Sequence, residues 1–148
     1  MSQPIRIGVI GLGRAFTLML PAFTQDPRVQ LVAATDPRAE ACAAFAQQFN
    51  AKTYTDVQAL VADANVELVY IASPHEFHAQ HAELAADAGK HVLVEKPMAI
   101  SSAQCQRMLA ACERNNVMLW VGHSHRLDSP IQRACEILDA GALGRVRM

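Results

Sequence analysis

Three stretches of the chain hold residues whose types and spacing point to chemistry. The first, Gly8-Val9-Ile10-Gly11-Leu12-Gly13-Arg14-Ala15-Phe16, passes from a β-branched run into a helical one through closely spaced glycines. Gly11 permits a tight turn, and Gly13 removes the side chain that would block an incoming anion. The free N–H groups and the positive dipole end of the following helix attract that anion. The segment therefore reads as a phosphate cradle in which Arg14, Ala15 and Phe16 open the helical wall. Phe16 stands where a small residue completes the usual G-x-G-x-x-G/A spacing, so it is expected to hold the helix slightly farther from the sheet.

The second stretch is Asp36-Pro37-Arg38, twenty-three positions after Gly13 and at the end of the next β-branched run. A carboxylate placed there can accept both hydroxyls of an adenosine ribose and repels a 2′-phosphate, which favours NAD over NADP. Arg38 keeps NADP open, because a guanidinium can bind a 2′-phosphate or stack on adenine. A turn or helix cap ahead of Pro37 is the plainer reading of Asp36.

The third stretch is split between two strand ends, Ala72-Ser73-Pro74-His75 and Val94-Glu95-Lys96-Pro97. Lys96 is one of only three lysines. An ammonium beside a reacting C–O bond can donate to a hydroxyl or stabilise developing alkoxide charge. The alternative is a salt bridge with Glu95, but neighbouring strand residues point to opposite faces. His75, His78 and His81 recur every third position and raise a metal reading. No carboxylate or cysteine completes a set with them, and no metal is expected.

Short apolar runs alternate with longer alanine-rich stretches, the pattern of a parallel sheet covered by helices on both faces. Strands are expected at Ile5–Ile10, Val29–Thr35, near Thr53-Tyr54, and at 67–72, 91–95 and 118–122. Helices are expected at Arg14–Gln25, 38–49, 56–63, 75–88 and 101–115. Asp56 and Ser101 or Ser102 suit N-caps, Gly89 suits a left-handed helix end, and Pro21 predicts a kink inside its helix. A last amphipathic segment, 131–140, precedes what reads as a strand opening at 145–148. Trp120, inside the sixth strand, is expected in the core. The fold class is α/β, a doubly wound parallel sheet of the Rossmann dinucleotide-binding kind. Residues 1–122 form that domain, and 123–148 form a connecting segment leading to a second domain outside this chain. In such a sheet ligands bind at the carboxyl edge, where strand order reverses, so the three stretches should converge on one crevice.

Composition narrows the function classes. The chain has 148 residues, 51% of them hydrophobic, with 13 basic and 14 acidic side chains and a net charge of −1. A balanced charge argues against nucleic acid or an anionic membrane as partner. The apolar runs are shorter than the ~20 residues a membrane span requires. Cys42, Cys105, Cys112 and Cys135 form no C-x-x-C pair and are read as reduced thiols, which with the absence of a leader pattern points to a cytoplasmic protein.

Taken together, Gly11-Leu12-Gly13, Asp36, Ser73-Pro74-His75-Glu76-Phe77-His78 and Ala88-Gly89-Lys90-His91-Val92-Leu93-Val94-Glu95-Lys96-Pro97 resemble the Gfo/Idh/MocA oxidoreductases over essentially the whole chain. The last segment is the most distinctive. The resemblance implies that Lys96 is catalytic or orients substrate, that the Lys96–Pro97 bond is cis, and that Ser73, Pro74, His75, His78, Glu95 and Pro97 line the nicotinamide half of an NAD site. It also implies a second α/β domain that completes proton transfer and carries the contacts of a homo-oligomer. After the sixth strand, Gly122-His123-Ser124-His125-Arg126-Leu127-Asp128 stands where many members have an Asn or Arg-Arg-Phe pattern. With the Arg14-Ala15-Phe16-Thr17 helix start, it is most similar to the branch containing phthalate cis-4,5-dihydrodiol dehydrogenases. On that reading His123 and His125 assist proton transfer, and His125 and Arg126 hold a substrate carboxylate. The alternative is that these residues only satisfy their own loop and pair with Asp128. The implied activity is hydride transfer between nicotinamide and a small hydroxylated substrate: a cis-dihydrodiol, an inositol or a sugar. A non-catalytic module that senses NAD(P) shares the glycines and Asp36 but has no use for Lys96.

Overall fold

The computed structural model describes residues 3–145. Its six strands are β1 (Ile5–Ile10), β2 (Val29–Thr35), β3 (Lys52–Tyr54), β4 (Leu68–Ile71), β5 (His91–Val94) and β6 (Leu119–Val121). They form one parallel sheet in the order β3-β2-β1-β4-β5-β6. The order reverses between β1 and β4, so the chain leaves those two neighbours in opposite directions and opens a crevice at their carboxyl ends.

The helices are α1 (Arg14–Gln25), α2 (Ala39–Phe49), α3 (Val57–Val61), α4 (His78–Asp87), α5 (Ser102–Arg114) and α6 (Ser129–Asp139). Alternation along the buried strands supplies two apolar layers. Val69, Ile71, Val92 and Val94 face a cluster with Ala79, Ala82, Ala85, Ala86 and Met108 of α4 and α5. Ile7, Val9, Leu31 and Tyr70 face the other cluster, with Phe16 and Phe23 of α1 and Phe45 of α2. Alanines on the inner face of α4 let α5 and the sheet approach closely, and this layer holds the most completely buried residues.

Several boundaries differ from expectation for local reasons. Arg38 is the N-cap of α2 and not its first turn. Asp56 caps α3, accepting from the Ala59 N–H at 2.7 Å, and α3 ends two residues earlier than expected. The single helix expected from 75 is a 3₁₀ turn at His75–Phe77 followed by α4; Pro74, with ψ 146°, brings the chain in extended and leaves the first turn tight. The last helix starts earlier than expected, with Pro130 in its first turn, where a missing N–H costs nothing. Ser101 caps α5 through the Gln104 N–H, and Gly89 takes φ +72° after α4. α1 runs from Arg14 to Gln25 with Pro21 inside it. The strand expected at 145–148 falls almost wholly outside the described residues.

Two aromatic residues singled out in the sequence take contrasting places. Phe16 is 6% exposed, its ring 5.8 Å from that of Phe45, so it fills the layer between α1 and α2. Trp120 is not a core residue: it is 42% exposed. Among the described residues β6 is the edge strand of the sheet, and the ring lies edge-on to His91, centroids 6.2 Å apart.

Candidate dinucleotide site

The carboxyl ends of β1, β2 and β4 are tied by backbone bonds: Gly11 N–H donates to Thr35 at 2.9 Å and Ala72 N–H to Ile10 at 2.8 Å. Gly11 adopts φ +93°, and a Cβ there would lie 2.8 Å from the Ala72 carbonyl and the Ser73 nitrogen. Only glycine lets the first loop run against the β4 turn this closely. Gly13 is different. It has an ordinary extended backbone at the N-cap of α1, and a Cβ on it would meet nothing of the protein within 4 Å. Its lack of a side chain serves no internal packing and leaves space open at a helix N-terminus, the requirement for a bound phosphate.

A cleft of about 690 Å³ opens from these loops. It is walled by Gly11 and Gly13, by Asp36 and Arg38 after β2, and by Ser73 and Pro74 after β4. Asp36 is a fixed point of this cleft. Its carboxylate accepts from the Leu12 N–H at 2.7 Å, from the Arg38 N–H and Nε at 2.9 Å each, and from Arg38 Nη2 at 3.1 Å. Burial pushes this carboxyl up, but the Arg38 and Leu12 hydrogen bonds outweigh it and hold it below the usual carboxylate range.

The cleft includes residues that sequence reasoning did not select. Thr55, Asp56, Val57 and Gln58 reach it because β3 pairs with β2, which sets the β3–α3 turn beside the Asp36 loop. That neighbour relation was the available signal. Phe77 and His81 line it as well, with rings stacked 5.8 Å apart. His81, read from sequence only as a possible metal ligand, places Nδ1 3.0 Å from the Ser73 hydroxyl. Burial, and then the neighbouring His78, hold its imidazole below the usual value. Among the described residues no group of three or more His, Cys, Asp or Glu side chains is placed to hold a metal ion.

The second half of the expected site is arranged differently. His78 is completely buried, with Nδ1 2.9 Å from the Pro97 carbonyl and Nε2 2.9 Å from the Ser73 carbonyl. It joins the β4 turn to the cis Lys96–Pro97 turn from beneath and does not line the cleft. Glu95 accepts from the Tyr70 hydroxyl at 2.8 Å and from the Lys96 N–H at 3.2 Å. Burial, and then this carboxylate, push the Tyr70 phenol well up. Among the described residues no ion pair links Lys96 to Glu95, and Lys96 stands exposed after β5. Arg14 and His75 are exposed too, and Ala15 is half-buried. His123, His125 and Arg126 are exposed: His123 precedes a 3₁₀ turn at Ser124–Leu127 that carries the other two, and His125 Nδ1 pairs with Asp128 at 2.8 Å.

Comparison with known proteins bears directly on this arrangement. Residues 5–123 match the Gfo/Idh/MocA model, described as an oxidoreductase family with an NAD-binding Rossmann fold. The chain belongs to the Gfo/Idh/MocA oxidoreductase family. It is 54% identical over 144 residues to 1-carboxy-3-chloro-3,4-dihydroxycyclohexa-1,5-diene dehydrogenase of Comamonas testosteroni, covering 97% of this chain and 36% of that one. It is 30% identical to myo-inositol 2-dehydrogenase of Thermotoga maritima, covering 95% of this chain and 42% of the relative. The crystal structure of the WlbA dehydrogenase of Bordetella pertussis with NADH and UDP-GlcNAcA superposes with a TM-score of 0.92 at 30% identity, covering all of this chain and 43% of that one. A 3-ketoreductase of Actinomadura kijaniata, solved with NADP and TDP-benzene, gives 0.87 at 28%, covering 94% and 43%. This Gfo/Idh/MocA chain thus spans less than half the length of the relatives it matches. The family binds NAD or NADP, and no described helix is long and apolar enough to cross a membrane.

Proposed function

We propose that this chain is the NAD-binding part of a dehydrogenase that oxidises a hydroxyl-bearing carbon of a small cyclic substrate, with a cis-dihydrodiol carboxylate as the favoured class. The observation that carries the cofactor reading is the contrast between the two glycines. Gly11 is required by the protein's own packing, whereas Gly13 leaves unfilled space at the head of α1. The 54% identity to a dehydrogenase of a carboxylated dihydroxy-cyclohexadiene supports the substrate class. The nicotinamide supplies the hydride acceptor. Gly11, Gly13 and the head of α1 hold the pyrophosphate, Asp36 takes the adenosine ribose, and Ser73, oriented by His81, faces the same cleft. On this reading NAD is the preferred cofactor, because a carboxylate at the adenosine ribose repels a 2′-phosphate.

Lys96 extends from the cis turn on the same carboxyl edge, where its ammonium would donate to the substrate oxygen and stabilise its developing negative charge while the hydroxyl proton passes to a neighbouring base, with His123 and His125 as the local candidates, and the hydride to the bound nicotinamide. Arg126 and His125 receive the substrate carboxylate, with His123 beside them, and residues 123–148 lead into the part that closes the substrate pocket. Titration calorimetry with NAD tests the cofactor reading. Wild-type chain should bind, and Asp36→Ala should lose at least about tenfold in affinity, the low end for one hydrogen bond to a charged group. Unchanged affinity in that variant defeats the ribose assignment. For Lys96→Ala in the full-length protein, NAD binding should persist while NADH formation from a cis-dihydrodiol carboxylate falls to background.

A further inference from the structure

In the cleft a cation covers Asp36, the carboxylate assigned above to the adenosine ribose. An ionised carboxylate offers about four acceptor positions, and all four on Asp36 are taken. Two come from backbone N–H groups, of Leu12 and Arg38, whose places are fixed by the glycine loop and the α2 cap. The other two come from the guanidinium, through Nε and Nη2, and Nη2 also donates to the Leu12 carbonyl at 3.1 Å. The Asp36 side chain is 6% exposed, that of Arg38 54%. Asp36 is thus sealed, and the guanidinium that seals it faces the solvent side of the cleft.

We propose that Arg38 is a specificity-determining residue that occupies the ribose seat of the unliganded protein and competes with NAD for Asp36. The inference rests on the dinucleotide reading above. The two guanidinium donors stand in for two ribose hydroxyls, so a diol reaches the carboxylate only by displacing them; the backbone donors cannot leave without opening the loop. Displacement breaks a bidentate, charge-assisted pair and so costs NAD affinity. The released guanidinium remains tethered two residues from Asp36, where it would gain a partner if the ribose held there carried a 2′-phosphate. One residue therefore lowers affinity for NAD and raises it for NADP, narrowing a preference that Asp36 alone would make wide.

The test is titration of NAD and of NADP, separately, into wild type, Arg38→Ala and Arg38→Lys, with circular dichroism confirming the fold of each. Arg38→Ala should bind NAD severalfold more tightly than wild type and NADP about tenfold more weakly. Arg38→Lys keeps the charge but not the fork, so it should gain NAD affinity like the alanine variant while retaining NADP binding. Weaker NAD binding by Arg38→Ala overturns the proposal, since the guanidinium would then be a contact of the bound cofactor and not its competitor. Unchanged affinities overturn it equally. Failure of every variant to bind either cofactor overturns the dinucleotide reading and this inference together, whereas binding without a change at Arg38 defeats this inference alone.

Discussion

Gly11 and Gly13 stand two residues apart and are glycine for opposite reasons, which makes them separable by mutation. Gly11→Ala puts a Cβ into the β4 turn at a positive φ, costing about 1–3 kcal/mol of stability. In Gly13→Ala the added Cβ meets no protein atom within 4 Å, so its melting temperature should stay near wild type while calorimetric NAD binding weakens at least about tenfold. His81 adds a pH dependence. Its folded imidazole is held below the ordinary value of 6.5. The unfolded chain therefore takes up the proton first, and the stability that His81 contributes is full above 6.5 and lost as pH falls through the lower native value. Thermal melts across that range should show the acid-side loss in wild type and a smaller one in His81→Gln. At this scale the sequence was partly legible. The glycines and Asp36 announced themselves through spacing, but Arg38 on Asp36 and His81 on Ser73 depend on side-chain directions that spacing does not encode.

Elements were more legible than contacts, because each follows from local chemistry. Apart from β3, apolar runs of three to seven residues became strands, and Asp56 and Ser101 started helices and Gly89 followed one as their side chains or backbone freedom dictate. Ser101→Ala removes the cap on α5 and should cost about 1 kcal/mol, a fall in melting temperature of about 3 °C, without altering NAD binding, since α5 does not border the cleft. The 3₁₀ start at His75–Phe77 was not foreseen, because the same residues suit either helical turn and the incoming direction set by Pro74 decides between them. The misplaced expectation for Trp120 has a similar origin: an aromatic residue in a short strand reads as core unless the strand is known to be an edge.

Across the whole molecule, burial is concentrated between the sheet and helices α1 to α5. No residue of α6 is buried, although Ile131 and Leu138 give that helix an apolar side. Amide hydrogen exchange should therefore be fastest, among the described helices, along Ser129–Asp139, and slow in α4 and α5, whose inner residues are sealed. Comparable protection of α6 in this chain would contradict that distribution. The sheet order explains why the glycine loop, the Asp36 turn and the Ser73-Pro74 turn share one cleft: reversal between β1 and β4 leaves a crevice at the carboxyl edge, whereas Glu95, Lys96 and Pro97 follow β5 outside its lining.

The placement of Trp120 has a practical consequence. It is the only tryptophan in the chain, it sits on the far edge strand, and it lies outside the cleft. Indole emits in the band where reduced nicotinamide absorbs, so a reduced dinucleotide seated at the switch point would draw excitation energy from a single donor in a known position. Quenching of that emission, matched by sensitised light from the nicotinamide, turns an accident of strand order into an optical gauge of occupancy that needs no label.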